Sequence, residues 1–166
     1  MEKLKVASLF CGCGGTDVGM MGGFDFLGKH YAKNDVEIVY ANDFEKSACN
    51  IFEANFGLKP DNRDIREVKT EELPEFDILT GGFPCQSFSI VAQNPKRLGI
   101  KDEKGMLFFE MCRILRERKP KCFIAENVKG LTTLEDVKEV IEHDFANAAD
   151  GGYLVIPARV LHAANY

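Results

Sequence analysis

The chain has 166 residues, of which 45% are hydrophobic and 28% charged, and its formal net charge is −5. Such a length predicts one domain that buries about 70% of its unfolded surface, and the composition is that of a soluble globular protein. The acidic balance argues against strong nucleic-acid binding by this chain alone, because neutralising phosphates needs a basic face.

Met1-Glu2-Lys3-Leu4-Lys5 opens onto a short apolar stretch broken by Gly12. This is neither a signal peptide nor a membrane span, so the expected location is cytoplasmic. Leu4–Phe10 reads as a buried strand from its length and the glycines that follow. Thr16–Leu27 predicts a helix weakened by Gly19, Gly22 and Gly23. Glu37–Ala41 reads as a second strand. Phe44, Ala48, Ile51 and Phe52 then repeat at helical spacing to about Phe56. Phe76–Thr80 predicts another strand. Leu107, Met111, Ile114 and Leu115 form the stripe of a core-facing helix. Lys121–Ala125, apolar from Cys122 onward, reads as a central parallel strand. Thr132-x-x-Glu135 resembles a capping box, opening a helix whose face is Leu134, Val137, Ile141 and Phe145. Tyr153–Leu161 predicts a final strand, with Pro157 indicating an edge or a bulge. There is no repeat, low-complexity segment or linker.

This alternation predicts an α/β fold, mostly a parallel sheet with helices on both faces. Ligands bind such sheets beyond the carboxyl ends of the strands. Gly12, Asp43, Cys85 and Glu126 each fall just after a predicted strand, and so on one rim.

Six cysteines occur, at 11, 13, 49, 85, 112 and 122, with no Cys-x-x-Cys and no histidine cluster beside any pair. No metal site is expected. Most of these thiols are expected to be reduced and packed as small hydrophobes. Cys85 differs because of its setting, Gly81-Gly82-Phe83-Pro84-Cys85-Gln86, on a loop after a strand. Glu126-Asn127-Val128 ends a later apolar run. A nucleophile and a carboxylate at neighbouring strand ends point to covalent chemistry on an electrophilic carbon beside a bound cofactor. Lys96, Arg97, Lys101 and Lys104 follow the Cys85 loop, either as a solvated loop or as phosphate contacts over the site.

Phe10-Cys11-Gly12-Cys13-Gly14-Gly15 permits close backbone approach to a ligand, or simply a turn. It fails the dinucleotide fingerprint, since Asp17 stands where the third glycine belongs, which disfavours a nicotinamide enzyme. Asp43 sits where a ribose-binding carboxylate belongs, although an N-cap is an equally physical reading. Phe44 either stacks on a ligand or packs.

Taken together, Phe10-x-Gly12-x-Gly14-Gly15, the Gly-Phe-Pro-Cys85-Gln86 loop and Glu126-Asn127-Val128 resemble the DNA cytosine-5 methyltransferases in wording, order and spacing. Arg63-Asp64-Ile65 resembles that family's third cofactor segment, and Gly105-Met106-Leu107-Phe108-Phe109 the start of its intervening helix. The resemblance covers essentially the whole chain. It implies a Rossmann-like methyltransferase fold that uses S-adenosylmethionine. Cys85 would attack C6 of a cytosine flipped out of double-stranded DNA, and Glu126 would hydrogen-bond or protonate N3. Phe10, Gly12, Gly14 and Gly15 would line the cofactor. Asp43 would take its ribose, Phe44 the adenine face, Asp64 and Ile65 the adenine edge, and Leu107 the other side. Pro84 would aim Cys85 by fixing the loop, with Gln86 as further support, and Asn127 would support Glu126.

The family pattern continues, past the point where this sequence ends at Asn165-Tyr166, with a Gln-x-Arg-x-Arg strand, a target-recognition domain and a segment completing the cofactor site. Residues 1–166 are therefore expected to be one incomplete catalytic and cofactor-binding domain, truncated before the last strands. Tyr153–Leu161 would then lack an antiparallel neighbour. Two functions follow. One is the catalytic part of a cytosine-5 methyltransferase from a restriction–modification or related system. The other is an inactive fragment, or one subunit of a split enzyme, that binds cofactor but needs a second chain for DNA binding and turnover. A small-molecule methyltransferase is a distant third, since those lack the proline–cysteine loop.

Overall fold

The computed structural model describes residues 2–84, 106–133, 135–162 and 164. Cys85, Gln86, Gly105, Leu134 and the cluster of Lys96, Arg97, Lys101 and Lys104 lie outside the described residues. The chain divides into two compact units, Met1–Gly82 with Pro120–Glu126, and Phe83–Lys119 with Asn127–Tyr166.

The first unit is built on a four-stranded sheet of β1 (Leu4–Leu9), β4 (Val36–Asn42), β5 (Ile78–Gly81) and β6 (Cys122–Ala125), in the order β4-β1-β5-β6. Every pairing in it is parallel. β1 is buried from Val6 to Leu9 and β5 along its whole length, as continuous apolar runs require of strands with neighbours on both sides. β6 is also apolar, but it stands at the sheet's edge among the described residues, not in its centre. Cys122 is exposed and Ile124 is 44% exposed. Composition alone did not separate the two positions, because an apolar run reports what a strand can bury and not whether a neighbour is there.

Helix α1 spans Gly15–Met21 and α2 spans Lys46–Phe56. The predicted helix to Leu27 stops early. Gly22 and Gly23 take φ of 60° and 77°, and a side chain at Gly22 would meet the Ala32 carbonyl oxygen at 2.1 Å. The chain then forms a hairpin of β2 (Phe24–Phe26) and β3 (Lys29–Tyr31). Its two turn residues, Leu27 and Gly28, both have positive φ, the backbone that matches strand twist in a two-residue hairpin loop. Phe24 stacks on Tyr31 with ring centroids 5.0 Å apart. Helix α2 is capped by Glu45, whose side chain accepts from the Ser47 N–H, and Phe52 on this helix packs with Cys11 and Ala41.

The second unit holds helix α3 (Met106–Arg118), a 3-10 turn at Lys129–Thr133 and helix α4 (Glu135–Ala146). The side chains of residues 132 to 136 lie outside the description, and the predicted capping box falls on them. Met111, Ile114, Leu115, Ile141 and Phe145 are buried as the helical stripes require, whereas Leu107 and Val137 are only half-buried and Phe108, outside the expected stripe, is buried. Phe83, Phe108 and Phe145 form an aromatic cluster with centroids 5.0 to 6.2 Å apart. Residues 153–161 form no strand. Their backbone turns back to helix α4 instead. The Tyr153 N–H donates to the Ala146 carbonyl, and the Ala158 N–H to the Glu142 carboxylate. Leu154 and Ile156 are left exposed.

Candidate active site

The register of the sheet builds the rim. Asn42 pairs with Leu9, Leu9 with Gly81, and Gly81 with Ala125. Four strands therefore end in one row, and the next residues, Asp43, Phe10, Gly82 and Glu126, stand side by side at the carboxyl edge.

After β1 the backbone turns sharply. Phe10 takes φ 54° and Gly12 φ 55°. For Phe10 this left-handed conformation costs on the order of 1–2 kcal/mol. The turn is held from β4, where the Cys11 N–H donates to the Asn42 carbonyl at 3.1 Å and the Gly12 N–H to Asp43 Oδ2 at 2.9 Å. The glycines differ in purpose. A Cβ on Gly12 or Gly15 would meet open space, whereas one on Gly14 would lie 2.1 Å from the Phe56 ring. Gly14 thus has a packing reason for being glycine, and Gly12 and Gly15 leave an open backbone surface at the rim.

Asp43 is not the N-cap of α2; that is Glu45. The Asp43 carboxylate accepts from the Glu45 N–H as well as from Gly12, both at 2.9 Å. Two backbone donors leave a carboxylate with acceptor capacity to spare. Phe44 beside it is 73% exposed, a ring face that the core does not use. Asp64 caps the short 3-10 turn Ile65–Glu67 and is gripped by the Arg66 guanidinium through both oxygens. That hydrogen bonding holds its pKa below the ordinary carboxylate value. Ile65 is buried, so any ligand there would meet its backbone.

Between β1 and β5 a cavity of about 110 Å³ opens at the rim, lined by Ser8, Phe10, Thr16, Thr80, Gly82 and Glu126 among others. It is smaller than the roughly 300–1,000 Å³ of whole small-molecule sites, and so suits one part of a ligand. Glu126 is exposed, with its N–H bonded to the Gly81 carbonyl at 2.9 Å. A side chain on Gly82 would come within 3.1 Å of Glu126 Oε2, so the glycine there leaves room for the carboxylate. A larger cavity of about 190 Å³ lies at the opposite end of the strands, around Lys5, Asp77 and Lys121. Lys121 there is paired to Asp77 at 2.7 Å, and the cavity sits at the end where parallel sheets do not bind ligands.

In the second unit, Asn127 donates to the Phe83 carbonyl at 2.7 Å, next to half-buried Pro84. Leu107 is half-buried on α3. Cys85 and Gln86 are outside the described residues. Of the remaining cysteines, burial pushes Cys11 and Cys112 up to about 12 and raises Cys49 as well, which makes these three poor thiolates. No group of residues suited to a metal ion occurs among the described residues. No helix among them is long and apolar enough to cross a membrane.

The sequence reading missed Asn42 and Asn62. Asn42 is buried and donates to the Asp61 and Arg63 carbonyls. Asn62 reaches back to Asp43 and Phe44. Their partners lie 18 to 21 residues away, so no local pattern signals them.

The family of C-5 cytosine-specific DNA methylases matches residues 4–166. Among curated relatives, type II methyltransferase M.HhaI of Haemophilus parahaemolyticus is 37% identical over all of this chain and 46% of its own length. M.FnuDI of Fusobacterium nucleatum is 39% identical over 98% of this chain and 43% of its own, and M.NgoFVII of Neisseria gonorrhoeae 40% over 93% and 38%. The chain thus spans less than half the length of these relatives. Among solved structures, the Dnmt2 methyltransferase of S. pombe superposes with a TM-score of 0.61 at 20% identity, covering 87% of this chain and 42% of that one. The Entamoeba histolytica methyltransferase EhMeth gives 0.62 at 16% identity, covering 89% and 44%. Both support the Rossmann-like methyltransferase fold. A whole-chain family match and relatives near 40% identity over nearly its full length are decisive: the chain belongs to the C-5 cytosine-specific DNA methylases.

Proposed function

We propose that this chain is the cofactor-binding and catalytic part of an enzyme that methylates C5 of cytosine in double-stranded DNA. The observation that carries the reading is the row of four strand ends, which brings a glycine turn, the Asp43 carboxylate, Gly82 and Glu126 to one rim. The residues fit S-adenosylmethionine: an open glycine backbone at Gly12 and Gly15, acceptor capacity on Asp43, and an exposed ring at Phe44. Phe10, Asp64, Ile65 and Leu107 would complete its contacts, with Gly14 shaping the turn behind them. Bound there, S-adenosylmethionine supplies an electrophilic methyl group.

The chain's own residues do the rest. The Cys85 thiolate adds to C6 of a cytosine flipped out of the duplex. The C5–C6 π electrons are then available at C5. Glu126 donates a hydrogen bond or a proton to N3, so the ring accepts the addition. C5 would take the methyl carbon as its bond to the sulfonium sulfur breaks and leaves a neutral thioether; C5 would then lose its proton to a base, and the C6–S bond would break to release Cys85 as the thiolate. A thiol alone does not add to an unactivated ring, which is why the chemistry needs the carboxylate. Pro84, Gln86 and Asn127 would hold the Cys85 loop and the chain after Glu126 in place.

A second reading is favoured by the acidic charge of these residues. In it the chain binds cofactor but turns over only with a second chain supplying the DNA-binding half. One experiment tests both. The chain is mixed with S-adenosylmethionine and duplex DNA carrying 5-fluorocytosine, with and without the C-terminal half of a related methyltransferase. Fluorine does not leave as a cation, so elimination stalls and a covalent adduct accumulates. Mass spectrometry should map it to Cys85, and Cys85→Ser should abolish it, because a hydroxyl ionises far less readily than a thiol of pKa about 8.5. An adduct only in the two-part mixture supports the second reading. An adduct at any other cysteine rejects the mechanism.

A further inference from the structure

Two loops carry the proposed cofactor contacts, Asp43–Phe44 after β4 and the segment leading into Asp64–Ile65. Few backbone bonds join them. The Asp43 N–H reaches the Asp61 carbonyl at 3.2 Å, and the Asp61 N–H the Ala41 carbonyl at 2.8 Å. Tyr40 Oη on β4 also donates to Asp61 Oδ2 at 3.2 Å, and two asparagine side chains cross between the loops in opposite directions. Asn42 Nδ2 donates to the Asp61 and Arg63 carbonyls, both at 2.9 Å. Asn62 Nδ2 donates to the Asp43 carbonyl at 3.0 Å and the Phe44 carbonyl at 2.9 Å. The Cys49 thiol, from α2, donates to the same Asp43 carbonyl at 3.1 Å.

The geometry points to Asn62 as a positioning residue for cofactor recognition: with Asn42 it forms a reciprocal amide clamp that fixes the ribose-side loop against the adenine-side loop. This rests on the cofactor reading above. An amide that bridges two successive carbonyls sets the direction of both peptide planes, and so of the Asp43 carboxylate and the Phe44 ring. Without it, the loop orders only when ligand arrives, and affinity falls by the cost of that ordering. Asn42 is buried and a change there would disturb the core, whereas Asn62 is exposed. Asn62 therefore separates positioning from folding. Asn62→Asp keeps the shape, removes both donors and sets an anion against two carbonyl oxygens. Asn62→Ala removes shape and donors together.

The test uses two readouts on the 166-residue chain. Hydrogen exchange without ligand follows the Gly12 and Glu45 amides, which both donate to Asp43. Calorimetry measures S-adenosylmethionine affinity, with Asp43→Ala as the direct-contact control. Both Asn62 variants should speed exchange at these amides and raise Kd, each about tenfold, the scale of losing one or two hydrogen bonds. The melting temperature should stay near that of the unsubstituted chain. A variant that binds as tightly as the unsubstituted chain overturns the proposal, as does one whose amide exchange is unaltered. If the unsubstituted chain binds no cofactor, the functional reading fails, and exchange alone then decides whether the clamp exists.

Discussion

Asp17 shows how one residue departs from the pattern around it. It lies in the first turn of α1, fully buried, and neither carboxylate oxygen makes a well-formed hydrogen bond. Burial raises its pKa, and the Ser8 hydroxyl beside it offsets only part of that. A folded pKa above the unfolded one means that the folded state binds more protons. Stability is therefore greatest below the unfolded carboxylate value, falls as pH rises toward the raised folded value, and is flat above it. Asp17→Asn keeps the shape and removes the charge, so it should raise the melting temperature at pH 8 and change it little at pH 4. Thermal melts at the two pH values check this, and a lower melting temperature at pH 8 would show that the carboxylate has a stabilising partner. In sequence, Asp17 was notable only as the position where a dinucleotide fingerprint fails. Its burial follows from α1 packing on the sheet, which no local spacing reveals.

At the scale of elements, glycines decide where things end. Gly14 has φ 93° and would place a Cβ 2.1 Å from Phe56 Cε2. Gly14→Ala combines backbone strain with a clash against α2, and should cost about 2–4 kcal/mol. Gly12→Ala, with φ 55° and open space around its Cβ, should cost about 1 kcal/mol. Urea denaturation of the two variants measures the difference, and equal losses would contradict the packing role of Gly14. The strands β1, β4 and β5 and helix α3 were legible because their apolar positions repeat with the right period; helix α2 was found in place, but of Phe44, Ala48, Ile51 and Phe52 only Phe52 is buried, with Phe44 and Ile51 exposed. The stop of α1 at Met21 was not, although Gly22 and Gly23 marked it as weak. Two glycines lower helix propensity, but they end the helix here because the chain must clear the Ala32 carbonyl and enter a hairpin. The expected strand at Tyr153–Leu161 failed for a related reason. Alternating apolar residues favour an extended chain, but a strand exists only with a partner, and these residues bond back to helix α4 instead.

Across the molecule, several carboxylates are tied to cations. Asp61 and Glu72 share Arg63, Asp64 holds Arg66, and Asp77 holds Lys121. Hydrogen bonds from those partners lower the pKa of all four. Depressed folded values mean that their contribution is fully present above the unfolded carboxylate range and is lost as pH falls through the depressed values. Each pair is partly solvent-exposed and contributes little alone, so the expected effect is collective. Stability should hold from pH 7 to about 5 and then decline below about 4, the unperturbed carboxylate range. Acid titration followed by circular dichroism checks this. A chain with both Asp61→Asn and Glu72→Gln should show a shallower decline, and an unchanged profile would mean that other groups control the acid transition.

The sequence by itself determined the family, the alternation of strands and helices, and the residue types that the proposed chemistry requires. These reside in short words such as Gly-Phe-Pro-Cys85-Gln86 and Glu126-Asn127-Val128, whose meaning depends on bonds along the chain and on side-chain chemistry. Only the tertiary structure decided that Asn42, Leu9, Gly81 and Ala125 end in one row, and that Asp43 answers the Gly12 N–H and not the helix cap. It also decided that Asn62 reaches across 18 residues to the loop it holds. Register, burial and hydrogen bonding across such separations are set by how the elements pack, and neither periodicity nor local propensity encodes which distant partner a side chain will meet.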